Sequence, residues 1–386
     1  MDNIKKIGKQ CVGCRSCEQS CPKQCIHMEN NQEGFLYPIV DEEVCINCKK
    51  CLKVCPMENK LLYRNEPEKV WAIRQESNME VMNSASGGAS DIAAKIILKQ
   101  KGVVYGAAYD EKLVVNHIEV SDDVGRKRLK SSKYVQSNIG HCYSKAKKHL
   151  DKGDKVLFTG TPCQIAGLYS FLGKDYPELY TMDLICHGVP SPKFFEKYLE
   201  YQSKKLKENI IYYNFRSKEK RGWGAQYLIK FETGGTVKTK TLALDRYGKH
   251  FMEGDCFRES CYQCQYANTN RVGDITIGDF WGISKRHPEF YSEKGVSSVF
   301  VNTDKGKWLF EQMKRFCEVQ EATLEEGIIK QGNLVHPTNK PNSREDFYKN
   351  IDDEKFVDQL KVGLCAKERI KAIIPKKIIQ KVKSLL

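Results

Sequence analysis

Apolar residues along this chain fall into short runs separated by polar turns, a pattern typical of many short strands and helices. Residues 91–101 carry apolar positions at helical spacing and predict a helix, and the Gly160-Thr161-Pro162 turn predicts the start of another. Strands alternating with helices indicate an α/β domain. The apolar runs beyond residue 69 predict strands at residues 70–74, 103–109, 113–120, 155–160 and 179–185, and residues 274–282 predict a strand followed by a tight turn.

The first 60 residues follow a different pattern, set by eight cysteines in two copies of the motif C-x2-C-x2-C-x3-C-P. This spacing is typical of small ferredoxins that hold two cubane [4Fe–4S] clusters. Three thiolates wrap one cube, and the fourth lies one short turn further on and faces the other cube. The predicted ligands of cluster one are Cys11, Cys14, Cys17 and Cys55, and those of cluster two are Cys21, Cys45, Cys48 and Cys51.

A zinc site is the alternative for these cysteines, but the doubled motif with Pro22 and Pro56 disfavours it. Cys25 lies outside the motif, and we interpret it as a packed thiol, with a ligand role as the alternative. Residues 34–40 predict a strand of the small sheet beneath the clusters. So short a segment buries little core, so cluster ligation must supply much of its folding energy.

Composition and net charge indicate a cellular location and the kinds of partner that the protein could bind. The chain has seventeen cysteines, and no apolar signal segment or long apolar run is found, which favours a cytoplasmic protein whose reduced thiols bind metal. A net charge of +14 would suit an acidic partner, an anionic cofactor or a membrane surface, although a generally basic surface explains it equally well. Nucleic acid is disfavoured because no zinc-finger or RNA-binding motif is present.

Two segments of the larger domain are candidate anion sites. The loop at residues 84–90 combines small residues with a following helix, whose free N–H groups would face a phosphate. Residues 129–136 contain two lysines, two serines and a tyrosine that would hold a phosphate or stack on a ring. An ordinary turn and a solvated basic loop are the alternatives.

A third metal site is predicted outside the ferredoxin segment. Cysteines follow two buried strands, where α/β folds place their sites, and others lie close together further on. Cys142, Cys317 and Cys365 are isolated, and we interpret them as packing residues. The candidate ligands are Cys163, Cys186, Cys256, Cys261 and Cys264.

At these motifs the chain resembles the coenzyme F420 hydrogenase/dehydrogenase beta-subunit family. The resemblance runs from about residue 70 to about residue 282 and rests on the Ser86-Gly87-Gly88 loop, residues 130–136, Gly160-Thr161-Pro162-Cys163-Gln164, the strand ending at Cys186, the Cys261-x2-Cys264 pair and residues 274–282. It implies an FAD domain beside an iron–sulfur cluster. The predicted fold is therefore an α+β ferredoxin-like dicluster domain followed by a larger α/β flavin-binding domain.

The resemblance also implies site residues. The chlorophyll-reducing branch of the family has cysteines at the places matched by Cys163, Cys186, Cys261 and Cys264, so these four are assigned to a third [4Fe–4S] cluster, with Cys256 as the first substitute. The expected contacts of FAD are Ser86, Gly87, Gly88, Lys130, Ser132, Lys133, Tyr134, Thr159, Gly160 and Thr161.

These expectations predict the following division of the chain. Residues 1–60 form the two-cluster ferredoxin domain and residues 61–69 a linker, residues 70–150 and 151–320 match the N-terminal and C-terminal regions of the beta subunit, and residues 321–386 form an extension.

The predicted function is transfer of electrons from ferredoxin or a similar donor through the clusters to FAD and on to an organic substrate, in polysaccharide or cofactor biosynthesis. FAD exchanges one or two electrons and would join one-electron clusters to two-electron chemistry. Asp279 and His187 are the candidate general acids, although a turn-forming Asp and a packed His are the favoured alternatives. An electron-transfer subunit without its own substrate, a polyferredoxin-like hub without flavin, the use of F420 and a homo-oligomer all stay open.

The end of the chain is basic. Residues 366–386 carry seven lysines and arginines against one acid, with apolar residues at helical spacing. This pattern predicts an amphipathic helix that contacts an anionic membrane or a partner, or docks on the protein itself.

Overall fold

The computed structural model describes residues 2–59, 67–219, 221–224, 226–238, 242–360 and 362. Cys365, the basic tail and most of the predicted linker lie outside these residues. The described strands, in chain order, are β1 (Ile26–Asn30), β2 (Leu36–Val40), β3 (Lys69–Gln75), β4 (Val103–Tyr109), β5 (Val115–Val120), β6 (Val156–Gly160), β7 (Leu179–Leu184), β8 (Ile210–Asn214), β9 (Leu228–Phe231), β10 (Thr236–Lys238), β11 (Ile275–Asp279), β12 (Ser297–Val301) and β13 (Cys317–Ala322).

Short and medium helices connect these strands. The described α-helices are Ser16–Ser20, Lys50–Lys53, Asn78–Met82, Ala89–Lys99, Asp123–Arg128, Cys142–Asp151, Pro162–Leu172, Pro192–Leu206, Arg246–Glu253, Ile283–Arg286, Asp304–Met313, Leu324–Ile328, Arg344–Phe347 and Phe356–Gln359. The 3₁₀ helices are Ile4–Gln10, Leu242–Leu244, Glu259–Gln263, Lys314–Phe316 and Gly332–Leu334. Among the described residues, no helix is both long and apolar enough to cross a membrane.

The N-terminal segment repeats one local geometry in its two cysteine motifs. Arg15 and Lys49 both adopt left-handed backbone angles, with φ of 64° and 58°, directly after the second cysteine of each motif. The short helices Ser16–Ser20 and Lys50–Lys53 then begin. Strands β1 and β2 pair antiparallel, with Ile26 opposite Val40. The duplicated motif therefore folds as two equivalent cysteine loops beside a two-stranded sheet.

The larger domain is built on an eight-stranded mixed sheet with the order β13-β3-β12-β11-β7-β6-β4-β5. Its four central strands, β11, β7, β6 and β4, run parallel, and the flanking strands pair antiparallel. The sheet confirms a larger mixed α/β domain. It takes strands from both predicted regions, 70–150 and 151–320, so these regions share one core.

The remaining segments pack in two clusters of buried apolar residues. Buried residues of the ferredoxin domain, including Ile4 and Cys14, belong to the same apolar cluster as Tyr143 and Ile165. A separate three-stranded sheet, β10-β9-β8, packs in a second cluster rich in aromatic residues. Phe347, Tyr348 and Phe356 join that second cluster, so part of the predicted extension is core.

Candidate functional site

The four thiols predicted for cluster one lie together. Burial, followed by the charges of Cys14, Cys11 and Cys55, raises the pKa of Cys17 well above its ordinary value. Burial, followed by the charges of Cys14 and Cys11, raises the pKa of Cys55 to about 12. Thiols that oppose each other's ionisation in this way suit iron, because bound metal offsets the charge of clustered thiolates.

The site predicted for cluster two lies nearer the surface. Cys21, Cys45, Cys48 and Cys51 line one small pocket, and Cys48 is exposed. Cys25 lines the same pocket, with its Sγ 3.4 Å from the Sγ of Cys21. Burial, followed by the contact with Cys21, raises the pKa of Cys25 to about 12. Cys25 is thus a buried thiol in the wall of this site, which spacing alone did not indicate.

A third group of thiols gathers at the end of the central parallel strands. Cys163 begins the helix after β6, Cys186 follows β7, and Cys261 and Cys264 lie at the 3₁₀ helix Glu259–Gln263. Burial, followed by the charges of Cys264 and Cys186, raises the pKa of Cys163. Burial, followed by Cys261 and Cys264, raises the pKa of Cys186 to about 12. All four thiols predicted for a third cluster are therefore mutual neighbours.

Cys256 has different surroundings. It is fully buried in the aromatic cluster, and its carbonyl oxygen accepts a hydrogen bond of 2.6 Å from the hydroxyl of Tyr348. Burial, followed by the charge of Asp255, raises the pKa of Cys256 well above its ordinary value, and Cys261 contributes less than either. These contacts favour a packing role over the substitute-ligand role.

The first and third thiol groups adjoin at Gly167. The helix Pro162–Leu172 presents this glycine to the ferredoxin domain, where a Cβ would lie 2.8 Å from the Cβ of Cys14 and 3.1 Å from its Sγ. Ser16 Oγ donates a 2.7 Å hydrogen bond to the Gly167 carbonyl. Cys14 in turn contributes to the raised pKa of Cys163. The glycine inside a predicted helix is the sequence signal that could have indicated this close approach.

A cavity of about 600 Å³ opens beside the third thiol group. Cys163 and Cys186 form part of its wall. So do nine of the ten residues expected to contact FAD. The exception is Gly87, which packs behind the wall, where a Cβ would lie 2.2 Å from the carbonyl oxygen of Ile73. Its small size serves this close packing rather than contact with the cavity.

The cavity has features of an anion site. The helix Ala89–Lys99 begins at the cavity wall after Gly88, which has no side chain and therefore leaves the helix without a side-chain cap. Five lysines and arginines but only two carboxylates line the wall. Burial lowers the pKa of Lys133 to about 7, and an adjacent anion would restore its charge. Free helical N–H groups and excess positive charge fit the pyrophosphate of a dinucleotide such as FAD.

Several predicted contact residues also have internal partners. Thr161 caps the helix Pro162–Leu172 together with Gln164, and Thr159 Oγ1 donates to the carbonyl of Tyr105 at 3.0 Å. Lys130 forms ion pairs with Glu80 and Asp91. These side chains thus shape the wall of the cavity, and Lys130 is held in place from behind.

The structure gives Asp279 a role that the sequence did not indicate. Both carboxylate oxygens accept 2.8 Å hydrogen bonds from Arg216, and one accepts a 2.6 Å bond from the Trp223 indole. Burial would raise the pKa of Asp279, but Arg216 outweighs it and holds the pKa below its ordinary value. A carboxylate kept ionised in this way is a poor proton donor, so the geometry favours Asp279 as the residue that positions Arg216.

His187 lines the cavity directly after Cys186. Its Nδ1 lies 3.1 Å from Asn333 Oδ1 and 3.3 Å from Thr338 Oγ1, and its ring packs edge-on against Phe251 and Phe257. Of the two predicted acids, His187 is therefore the one without a charged partner at hydrogen-bond distance among the described residues.

Sequence reasoning missed two buried arginines at these sites. Arg216 also donates to the Tyr134 hydroxyl at 2.9 Å. Arg258 donates to the carbonyls of Cys11 and Leu36 and to the Gln136 side chain, so it joins the ferredoxin domain to the larger domain. Both depend on contacts between distant segments, and neither lies in a recognisable motif.

Comparison with known proteins gives two kinds of match. Residues 153–326 match the family described as the C terminus of the coenzyme F420 hydrogenase/dehydrogenase beta subunit, and residues 10–59 and 37–104 each match a 4Fe–4S dicluster domain. The F420-reducing [NiFe] hydrogenase complex from Methanosarcina barkeri, solved in a xenon derivatization, contains a chain that is 15% identical, with a TM-score of 0.46. The match covers 76% of the present chain and 90% of the other. No curated protein matches the sequence.

Proposed function

Since the chain carries the C-terminal domain of the coenzyme F420 hydrogenase/dehydrogenase beta subunit behind a 4Fe–4S dicluster domain, we propose that it is an iron–sulfur flavoprotein oxidoreductase. In this proposal electrons pass from ferredoxin or a similar donor through three [4Fe–4S] clusters to FAD and then to an organic substrate. The family match supports an iron–sulfur electron-transfer protein. FAD, the third cluster and the substrate are parts of the proposal.

One observation carries the proposal: the third thiol group lies between the ferredoxin domain and the large cavity. Gly167 lets Cys14 approach the helix that begins next to Cys163, and Cys163 itself lines the cavity. In this proposal the two ferredoxin clusters, the third cluster and FAD form one continuous series. An isolated cavity, or thiols facing solvent, would not support transfer in this order.

The chain's own residues would hold the cofactor and the proton. The Gly88 turn and the helix Ala89–Lys99 would bind the pyrophosphate, with Lys133 adding charge. Arg216, held by Asp279 and Tyr134, would place a fixed positive charge at the cavity wall. His187 is the proposed proton donor to substrate, because it faces the cavity beside Cys186. FAD, when bound, would supply the change from one-electron to two-electron transfer.

The first test is the cofactor content of protein purified without oxygen. We expect about twelve irons, about twelve sulfides and one FAD per chain, by the four-iron stoichiometry of each cubane. About eight irons would remove the third cluster, and the absence of flavin would leave an iron–sulfur hub.

A second measurement separates an enzyme from a subunit that serves another protein. The reduced chain is mixed with candidate organic acceptors, and its reoxidation is followed without a second protein. We expect turnover with at least one acceptor, because the cavity provides space beside the third site for a substrate. Reoxidation only in a tight complex with another protein would establish the subunit role instead. The substrate class and the cytoplasmic location stay predictions.

A further inference from the structure

The cluster-two site is the part of the redox series that reaches the surface. Among the described cysteines, Cys48 alone is exposed, whereas Cys14, Cys17 and Cys55 of the first site are buried. The first site is covered by the larger domain at Gly167, and the thiols of the third site are only partly exposed. An external protein would therefore exchange electrons at cluster two.

The rim of this site is basic. Lys23, Lys49 and Lys50 line its pocket, and no carboxylate does so. Lys49 is paired with Asp2 at 3.2 Å. Lys23 and Lys50 are exposed, and neither has a carboxylate of a described residue within ion-pair distance. The rim thus offers two lysines without an ion-pair partner at the most exposed of the predicted redox sites among the described residues.

An exposed apolar side chain lies inside this basic rim. Ile46, between Cys45 and Cys48, lines the pocket and is 57% exposed. Exposed apolar side chains bordered by charge mark contact surfaces for other proteins. An apolar centre lets two proteins approach closely, while the surrounding charges steer the encounter and let the complex dissociate.

Resting on the proposed function, we infer that Lys23, Lys50 and Ile46 form the docking surface for an acidic one-electron carrier protein. Such a carrier would present carboxylates around its own redox centre, matching the two lysines. One electron passes from the reduced carrier to cluster two, which oxidises the carrier and reduces the chain by one electron. An anionic membrane would match the charge but supplies no electron.

The test is the rate at which a reduced acidic two-[4Fe–4S] ferredoxin reduces the full chain in anaerobic stopped-flow experiments. The variants are Lys23→Glu/Lys50→Glu and Ile46→Ser. The matched control is Lys285→Glu/Lys307→Glu, which makes the same charge change at two exposed lysines on helices of the larger domain. Dithionite serves as a small reductant that needs no docking surface.

For the unaltered chain we expect the rate with ferredoxin to fall steeply as salt rises from about 0.02 to 0.3 M, because salt screens surface charges. In the variant Lys23→Glu/Lys50→Glu, the rate at low salt should fall at least about tenfold, and most of its salt dependence should disappear. Ile46→Ser should lower the rate without changing the salt dependence. The control should lose less than about twofold.

Several results would overturn the inference. Equal rates for rim and control variants, or a rate independent of salt, would place docking elsewhere. Binding to anionic lipid vesicles that is lost in the rim variant, with an unchanged rate with ferredoxin, would make the rim a membrane contact. Variants are compared only at unchanged iron content. Where charge reversal lowers the iron content, Lys23→Gln/Lys50→Gln replaces the charge-reversal variant. This neutral variant should lower the rate of reduction by ferredoxin at least about threefold, and an unchanged rate would refute the inference.

Dithionite separates this inference from the proposed function. If dithionite reduces every variant and substrate turnover follows, the oxidoreductase proposal stands whatever the ferredoxin rates are. If dithionite-reduced protein transfers nothing to any acceptor, the proposed function fails, yet the rim can still be judged from the reduction rates.

Discussion

Arg258 is expected to be an important buried polar connection between the ferredoxin domain and the larger domain. Its side chain is 1% exposed and donates hydrogen bonds to Cys11 O at 2.6 Å, Leu36 O at 2.9 Å and Gln136 Oε1 at 3.1 Å. Its guanidinium also lies 4.2 Å from the centre of the Tyr37 ring. Arg258→Ala removes these contacts at once.

The size of the effect follows from this geometry. Hydrogen bonds from a charged donor contribute about 1.5–3 kcal/mol each, so the sum of three would be about 5–9 kcal/mol. The free energy of unfolding should fall by less than this sum, by about 3–5 kcal/mol, because water can reach some of the acceptors once the side chain is gone. For a chain of this length that corresponds to a fall in Tm of roughly 4–6 °C.

The assay is thermal unfolding without oxygen, followed by loss of the visible absorbance of the clusters at one fixed heating rate. Arg258→Lys keeps the charge but not the planar guanidinium group, so its Tm should lie between those of Arg258→Ala and the unaltered chain. Arg315→Ala, at an exposed arginine, is the control and should change Tm by less than about 1 °C. If Arg258→Ala matches that control, the buried hydrogen bonds do not hold the domains together.

Three further predictions concern the third site and the cavity. Cys163→Ala should lower iron from about twelve to about eight per chain, whereas Cys256→Ala should leave iron unchanged, and the reverse result would exchange their roles. Asp279→Asn leaves the Arg216 charge uncompensated and should lower the free energy of unfolding by about 3–5 kcal/mol. The measured effects would be a lower Tm and weaker flavin retention, and unaltered values would show that the ion pair is unimportant. Burial places the pKa of Lys133 at about 7, and a bound anion would raise it, so flavin binding should take up a proton above that pH. Affinity in fluorescence titrations should therefore fall as pH rises above 7, while Lys133→Met should bind more weakly with a flatter pH profile.

The sequence by itself indicated the elements that depend on local order. The repeated cysteine spacing predicted two groups of thiols, because three ligands within one short loop need little help from the rest of the chain. The apolar periodicity likewise predicted the helix that forms as Ala89–Lys99 and the strands β4, β6 and β7. Strand-end and clustered cysteines predicted a third metal site, and the motif resemblance selected its four thiols, which come from three separate segments.

Only the tertiary structure decided how these parts meet. Pairing of β6 with β7 and of β7 with β11 brings Cys163 and Cys186 to one end of the sheet. The Arg216–Asp279 pair and the Arg258–Cys11 hydrogen bond join residues 63 and 247 positions apart. Such contacts leave no periodic trace in the sequence, because each depends on which distant surfaces pack together. That packing also turned Asp279 from a predicted acid into the partner of a buried arginine.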